Sequence, residues 1–418
     1  MSMIKRMRLF IYLMIGVALS GMAFLMCIPF LHYDKMQSYQ EIYLDNALYQ
    51  SVKISDRYGE YLYDGGYSDD EWTRLATFHV LGDTYGSVPG AVLNDIESDE
   101  TLTIDLSWQK GAYQLLKQSG LNGTILAADF RTGEIYCMVS TPSVDVLNNT
   151  EVEEGAYLNK ATTCFPPGST FKTATIACLL EAGIASGTYN CTGREGDVSC
   201  LTAHGSVNTI RNKDDEYGDV SCLTAHGSVN LKQALYESCN CGISYFGKTY
   251  LTPSQWEKDI ARFHLLDNTV IAGCEIASGF VDASEDWMWA MDGQGKDLIS
   301  PAALACFYGA IANDGIYHPL TLNMGQTLEE DEIMSLGSAR WIQEALREGM
   351  HVWYGDALDG WGKTGTAEVG DGTDHAWFVC CLDDPEIVIV TMLAGGGSSQ
   401  RALDITTEFV NCYVREVE

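Results

Sequence analysis

Between Leu9 and Leu31 the chain runs for 23 residues without a charged side chain. At ~1.5 Å per helical residue such a run matches the ~30 Å hydrocarbon core of a bilayer. Lys5, Arg6 and Arg8 precede it, and His32, Tyr33, Asp34 and Lys35 close it. A cleaved secretory signal would have an apolar region of only ~7 to 15 residues and a small-residue cleavage site. Ser20, Gly21 and Ala23 are small, but the run continues past them, and Phe24-Leu25-Met26-Cys27 lacks the small residue expected before a lipidated cysteine. The prediction is an uncleaved anchor over 9–31 with a cytoplasmic tail over 1–8. A retained positive end leaves everything after about residue 32 outside the cytoplasm.

Charge then acquires a location. The chain's 25 basic and 57 acidic residues give −32. Residues 1–31 hold three basic and no acidic side chains, so 25 less three against 57 leaves −35 on the exported part. That excludes sequence-independent nucleic-acid binding, which needs basic surface to neutralise phosphates. With 46% hydrophobic, 11% aromatic and 20% charged residues the chain can bury a core, so global disorder is excluded.

Residues 32–105 mix short apolar runs with turn signals, as in Asp56-Arg57-Tyr58-Gly59 and Gly82-Asp83-Thr84-Tyr85-Gly86. This predicts a short, strand-rich membrane-proximal module, followed by one domain over 106–418. Ala112, Leu115 and Leu116 give helical spacing over 106–119. Alternating runs at 124–129 and 134–140, around Phe130-Arg131-Thr132-Gly133, predict a hairpin. A helix follows from Ser169, introduced by Pro166-Pro167-Gly168 and closed by Gly183. A second hairpin joins 375–382 to 387–393 around Asp383-Asp384-Pro385, and an amphipathic helix over about 402–414 ends the chain. The expected class is α/β (α+β), a mainly antiparallel sheet flanked by helices.

One repeat is identical in sequence. Gly196 to Asn208 and Gly218 to Asn230 share thirteen residues at an offset of 22, a tandem duplication within 197–230. Two copies fall short of the ~3 that a solenoid needs, so the duplication reads as added surface loop.

Acyl transfer needs a nucleophile, a base and an oxyanion site. Ser169 and Lys172 stand at i and i+3 of a helix start, on one face, where a neutral amine can take the hydroxyl proton. The helix N-terminus favours negative charge developing at Ser169. Ser107-Trp108-Gln109-Lys110 fits the same pattern but lacks the Pro-Pro-Gly lead and the later partners, so it reads as a decoy. Ser238-Cys239-Asn240 and Lys363-Thr364-Gly365-Thr366 supply those partners. Gly362-Lys363-Thr364 also ends like a phosphate loop, but Ala357 stands where that motif needs glycine.

In this order the triplets S-x-x-K, S-x-N and K-T-G form the active-serine penicillin-recognising set, and the chain resembles the penicillin-binding protein transpeptidases of class B, the monofunctional type. The resemblance extends over roughly residues 50 to 395. It includes Ile54-Ser55-Asp56-Arg57-Tyr58-Gly59, Leu102-Thr103-Ile104-Asp105, Arg131-Thr132-Gly133-Glu134-Ile135, Gly293-Gln294-Gly295 with Ser300-Pro301, and His375-Ala376-Trp377-Phe378-Val379.

The resemblance implies the serine β-lactamase/transpeptidase-like fold for 106–418 and a D,D-transpeptidase that cross-links peptidoglycan stem peptides. Ser169 would attack the penultimate D-alanine carbonyl and Lys172 would be the base. Ser238 and Asn240 would relay protons and touch the substrate amide. Lys363 would shape the electrostatics of the far wall, with Thr364, Gly365 and Thr366 forming the substrate-binding stretch and the two threonines taking the terminal carboxylate. Backbone N–H groups of Ser169 and Thr366 would form the oxyanion hole, with Thr366 on an edge strand. Terminal D-alanine leaves, and β-lactam antibiotics acylate the same serine.

A SEDS-family glycosyltransferase is the implied partner, and neither cofactor nor metal is implied. The short stretch before residue 106 leaves no room for a fused glycosyltransferase. Alternatives with the same serine are a D,D-carboxypeptidase, a β-lactamase, or a β-lactam-sensing or scaffolding protein. The Glu-x-x-Leu-Asn pattern that places deacylating water in one β-lactamase class is missing, and a cytoplasmic tail of about eight residues is a poor signalling element. The duplication lengthens the stretch between Ser169 and Ser238, and adjacency to Leu231 favours the second copy as the family position.

Of fourteen cysteines, thirteen follow Cys27, an odd number for an exported chain. Cys191 with Cys200 or Cys222 is the first pairing to test. Cys178, Cys306 and Cys412 are expected as buried thiols on helices. Cys239 with Cys241, and Cys380 with Cys381, lack zinc spacing. His204 and His226 read as loop hydrogen-bonders, and His375 as a packing residue.

Overall fold

Alternating apolar positions on both sides of tight turns build the centre of the molecule. The computed structural model describes residues 51–414 except 149–150, 196–219, 222–224, 272–273, 285–286, 356 and 370–372, and also positions 14 and 49. Residues 1–52 and 53–418 form two compact units, and the second is described below. The run 9–31 lies outside the described residues apart from Met14. Among the described residues no helix is long and apolar enough to cross a membrane.

Five strands make the main sheet: β1 (Asn122–Asp129), β2 (Ile135–Thr141), β3 (Gly360–Ala367), β4 (His375–Asp383) and β5 (Glu386–Ala394). Their order is β3-β4-β5-β1-β2, antiparallel throughout, with β3 at an edge. Both expected hairpins are present, β1–β2 and β4–β5. Among the described residues the helices of six residues or more are α1 (Glu71–Leu81), α2 (Leu106–Ser119), α3 (Lys172–Glu181), α4 (Leu231–Tyr236), α5 (Asn240–Tyr250), α6 (Pro253–Arg262), α7 (Pro301–Ala312), α8 (Leu336–Tyr354) and α9 (Ser399–Phe409).

Period-two alternation assigns each strand residue to a layer. Cys380 joins the core that Trp108, Ala112 and Leu116 of α2 form with Ala402, Leu403 and Phe409 of α9. Cys381 points to the other face, where its sulfur lies 3.6 Å from the Tyr308 carbonyl of α7. Helices therefore cover both faces of a sheet that is almost wholly apolar inside.

The segment before residue 106 differs from the expectation of a strand-rich module. It does contain a three-stranded sheet of Lys53–Ser55, Tyr61–Asp64 and Glu100–Thr101, but it also contains α1, which packs on α2 and β2. Asp70 caps α1 by accepting from Trp72 N and Thr73 N. Arg74 ties it to the loop after β2 through two bonds to Asp145, at 2.6 and 2.8 Å. The helix escaped the apolar pattern because its buried face includes Thr73, Thr77 and His79. The last helix also begins earlier than expected, since Ser398 caps it through Gln400 N. Its end opens into a π turn over Val410–Val414. Cys412 on that turn is exposed, which corrects one of the three buried-thiol expectations; Cys178 is buried as expected, and the Cys306 thiol is desolvated although its residue as a whole is half-buried.

The duplicated segment is described only in its second copy. There Gly227–Asn230 pairs antiparallel with Thr188–Cys191, and Asn230 forms a capping box with Gln233 at the start of α4. The first copy, with His204 and Cys200, lies outside the described residues, as does Cys222.

Candidate active site

Three elements converge on one amine. The first is the turn that carries Ser169. Pro167 is followed by Gly168 at φ +56°, which curls Gly168–Thr170 into a 3₁₀ turn before α3 proper begins at Lys172. The regular helix thus starts three residues later than the sequence suggests. Ser169 and Lys172 still meet, because one 3₁₀ turn brings i and i+3 together. Tyr308 of α7 braces the turn by donating to the Thr170 carbonyl at 2.8 Å.

The second element is the junction of α4 and α5. Ser238 N donates to Leu235 O and Cys239 N to Ala234 O, the paired bonds of a Schellman motif. The residue after such a helix end takes a left-handed backbone, normally glycine's role, and here it is Ser238 at φ +57°. This turn aims the Ser238 side chain and carbonyl at α3 and starts α5 at Asn240.

Lys172 lies where these elements meet, with its side chain wholly buried. Its Nζ donates to Ser169 Oγ at 2.6 Å, Ser238 Oγ at 3.1 Å and Asn240 Oδ1 at 2.5 Å, and it lies 3.3 Å from the Ser238 carbonyl. Four of the residues singled out by sequence therefore form one hydrogen-bonded group. Ser169 is half-buried.

The edge strand β3 is the third element. Thr364 and Thr366 alternate on one face of it, both half-buried. The Tyr354 hydroxyl lies 3.0 Å from Thr364 Oγ1, and Gln294 Nε2 donates to the Thr366 carbonyl at 3.2 Å. Gly365 brings β3 against the Ser169 turn, where an added Cβ would stand 3.0 Å from Thr170 N. Lys363 is buried, and its Nζ donates to the Thr364 carbonyl at 2.8 Å. Burial first, and then the nearby Lys172 charge, push the Lys363 ammonium well below the usual lysine range.

The decoy serine is engaged elsewhere. Ser107 Oγ donates to Asp105 Oδ1 at 2.6 Å, while Lys110 pairs with Asp70 at 2.7 Å. His375 packs edge-on against Phe165 and accepts from Gly395 N at 3.2 Å, as a packing residue should.

Two groupings escaped the sequence reading. Asp292 Oδ1 stands 3.9 Å from Lys172 Nζ, with both side chains fully buried. An aspartate ahead of Gly293-Gln294-Gly295 carries no recognisable pattern. The other grouping is Cys191, His226 and Cys239, whose sulfur and imidazole donor atoms lie within 4.8 Å of one another. His226 Nδ1 and Cys191 Sγ are 3.5 Å apart. Two thiols and an imidazole are a donor set that could hold a soft divalent ion. Reading metal spacing along the chain missed it, because the donors come from a strand, the start of another strand and the α4–α5 junction.

Comparisons with known proteins bear on the family and the fold. The family model described as the penicillin binding protein transpeptidase domain matches residues 123–413. The peptidoglycan D,D-transpeptidase FtsI of Buchnera aphidicola is 37% identical over 116 residues, which is 25% of this chain and 20% of that protein. The match thus spans a minor part of that relative. PBPA of Mycobacterium tuberculosis superposes with a TM-score of 0.69 at 18% identity, covering 87% of this chain and 99% of that one. PBP2 of Pseudomonas aeruginosa does so with a TM-score of 0.68 at 20% identity, covering 88% and 96%. At these identities the structures share the fold.

Proposed function

The chain belongs to the penicillin-binding protein transpeptidase family, as a member of the class B type, and on that premise we propose that it is a peptidoglycan D,D-transpeptidase acting through an acyl-enzyme on Ser169. The observation that carries this reading is the 2.6 Å contact between Lys172 Nζ and Ser169 Oγ, within the same group of bonds that holds Ser238 and Asn240.

Ser169 Oγ attacks the carbonyl carbon of the penultimate D-alanine of a stem peptide, and its proton passes to Lys172 Nζ in the neutral form. The oxyanion is held by the backbone N–H groups of Ser169 and Thr366. The amide C–N bond then breaks. The leaving nitrogen of the terminal D-alanine takes the proton by way of Ser238 Oγ, which lies 3.1 Å from the amine. An amine from a neighbouring stem attacks the ester carbonyl, gives its proton to Lys172, and restores the Ser169 hydroxyl as the cross-link forms. Asn240 orients the substrate amide, and Thr364 and Thr366 receive the terminal carboxylate beside Lys363. A β-lactam opens by the same first steps, but its amine stays tethered and the ester persists.

The same reading takes 1–8 as a cytoplasmic tail, 9–31 as a single-pass anchor, 32–105 as the membrane-proximal stretch and 106–418 as the catalytic domain outside the cytoplasm. It is supported by the basic residues ahead of the uncharged run. A SEDS-family glycosyltransferase would then supply the glycan strands. The test is labelling with a fluorescent penicillin followed by mass analysis of the labelled peptide. The label is expected on Ser169, lost in Ser169→Ala and kept in Ser107→Ala. Label that survives Ser169→Ala and disappears in Ser107→Ala overturns the assignment.

A further inference from the structure

We infer that Asp292 is a positioning residue that fixes the protonation state of Lys172, and so sets the pH at which Ser169 can be acylated. The inference rests on the reading of Ser169 as nucleophile and Lys172 as base.

Asp292 is tied to both elements that carry the other reactive groups. One oxygen, Oδ2, accepts from Ser244 Oγ at 2.9 Å, and Ser244 lies one turn along α5 from Asn240. The next residue, Gly293, accepts through its carbonyl from Gly168 N at 2.9 Å, one residue before Ser169. The other oxygen, Oδ1, faces Lys172 Nζ at 3.9 Å, and neither side chain has any exposed surface. A carboxylate so placed has been taken out of water and held in register with the nucleophile from two sides.

Charge balance gives the arrangement its consequence. Among the described residues, the Asp292 carboxylate, from the segment before Gly293, faces the Lys172 ammonium, and the buried Lys363 amine of β3 lies near it. On the helices packed against α3, Asp259 and Arg262 of α6 act on Cys178 farther along α3, and Glu348 of α8 acts on Tyr236 of α4. Asn240 and Ser244 of α5 are uncharged. Lys172 therefore has a buried carboxylate in its favour and a second amine against it. In a low-dielectric site an opposite charge at such a distance favours the ammonium, while a like charge opposes it. The carboxylate holds Lys172 cationic at rest, and the proton that Lys172 later takes from Ser169 arrives at an already compensated site. The neutral amine that starts acylation then becomes available only at higher pH than Lys172 would need alone.

The experiment is the pH dependence of Ser169 acylation by a fluorescent penicillin, with the full chain and its Asp292→Asn variant. Asparagine keeps an oxygen for the Ser244 hydroxyl and removes only the charge, so a merely structural role leaves the profile in place. The expected result is an acid limb moved to lower pH by about one unit or more, which is about a tenfold larger neutral fraction at a given pH on that limb. The alkaline plateau is expected to be lower, because the amine is a weaker base. An unmoved or alkaline-shifted limb overturns the inference. Absence of label on wild-type Ser169 at every pH overturns instead the reading on which it rests. Should D292N fail to fold, ¹³Cε-lysine NMR of the wild-type chain decides, with the Lys172 signal identified by its loss in Lys172→Arg. A Lys172 signal in the ammonium form at about pH 8 upholds the inference, and a neutral amine at about pH 7 contradicts it.

Discussion

Gly168 and Gly293 grip each other through their backbones. Gly168 N donates to the Gly293 carbonyl at 2.9 Å, and a Cβ on Gly293 would stand 2.2 Å from the Gly168 carbonyl oxygen. This contact seats the segment carrying Asp292 and Gln294 beneath the Ser169 turn, so the position of the nucleophile depends on a residue far along the chain.

Gly293→Ala is expected to act on both stability and rate. Its backbone is left-handed at φ +76° and its neighbour is a rigid carbonyl that cannot step aside. A loss of about 2 kcal/mol or more is expected. Ser169 acylation should slow at least about tenfold as the turn shifts. Thermal unfolding and the labelling rate of a fluorescent penicillin measure the two effects.

Ser238 holds a left-handed backbone that costs a non-glycine residue about 1 kcal/mol, and its hydroxyl and carbonyl both approach Lys172. Ser238→Gly should therefore raise stability by about 0.5 to 1 kcal/mol while lowering acylation about 10²-fold. Ser238→Ala should lose acylation similarly without the gain. Denaturant unfolding beside acylation kinetics separates the variants. Equal stability of S238G and S238A would show that the backbone stores no strain there.

Lys172→Met removes the base and leaves the Asp292 carboxylate buried beside an apolar group. Acylation should fall about 10²- to 10⁴-fold. Stability should fall by about 3 kcal/mol, and most of that loss should return in the double variant Lys172→Met with Asp292→Asn. A double-mutant cycle of unfolding free energies reads the coupling.

Lys160 provides a test away from the cleft. Its Nζ is buried with no hydrogen-bond partner among the described residues, and burial pulls its pKa from 10.5 down to about 8. The unfolded chain therefore holds a proton that the folded one has released between about pH 8 and 10.5, so this group makes stability rise with pH across that window. Lys160→Met should be more stable than wild type at pH 7, and the difference should shrink as pH rises toward 10. Thermal melts at a series of pH values measure it.

Much of this site is written in short-range patterns. The serine and lysine of S-x-x-K, the serine and asparagine of S-x-N and the threonines of K-T-G are legible because each group is contiguous. The β1–β2 and β4–β5 hairpins are legible because alternation meets a turn. Asp292 was illegible since its meaning comes from Lys172, which reaches it only when the segment before Gly293 folds under the Ser169 turn. The Cys191, His226 and Cys239 grouping was hidden for the same reason, its donors being distant in sequence. Helix α1 was hidden differently, since buried threonines and a histidine break the apolar stripe that marks an amphipathic helix.

The most direct measurement is the product formed from a stem pentapeptide and an acceptor amine, followed by mass spectrometry with wild type and Ser169→Ala. The account predicts a cross-linked species formed with loss of one D-alanine, absent in the variant. A product in which D-alanine is lost to water alone would contradict the transpeptidase assignment and make the protein a carboxypeptidase. Turnover undiminished in Ser169→Ala would contradict the nucleophile itself.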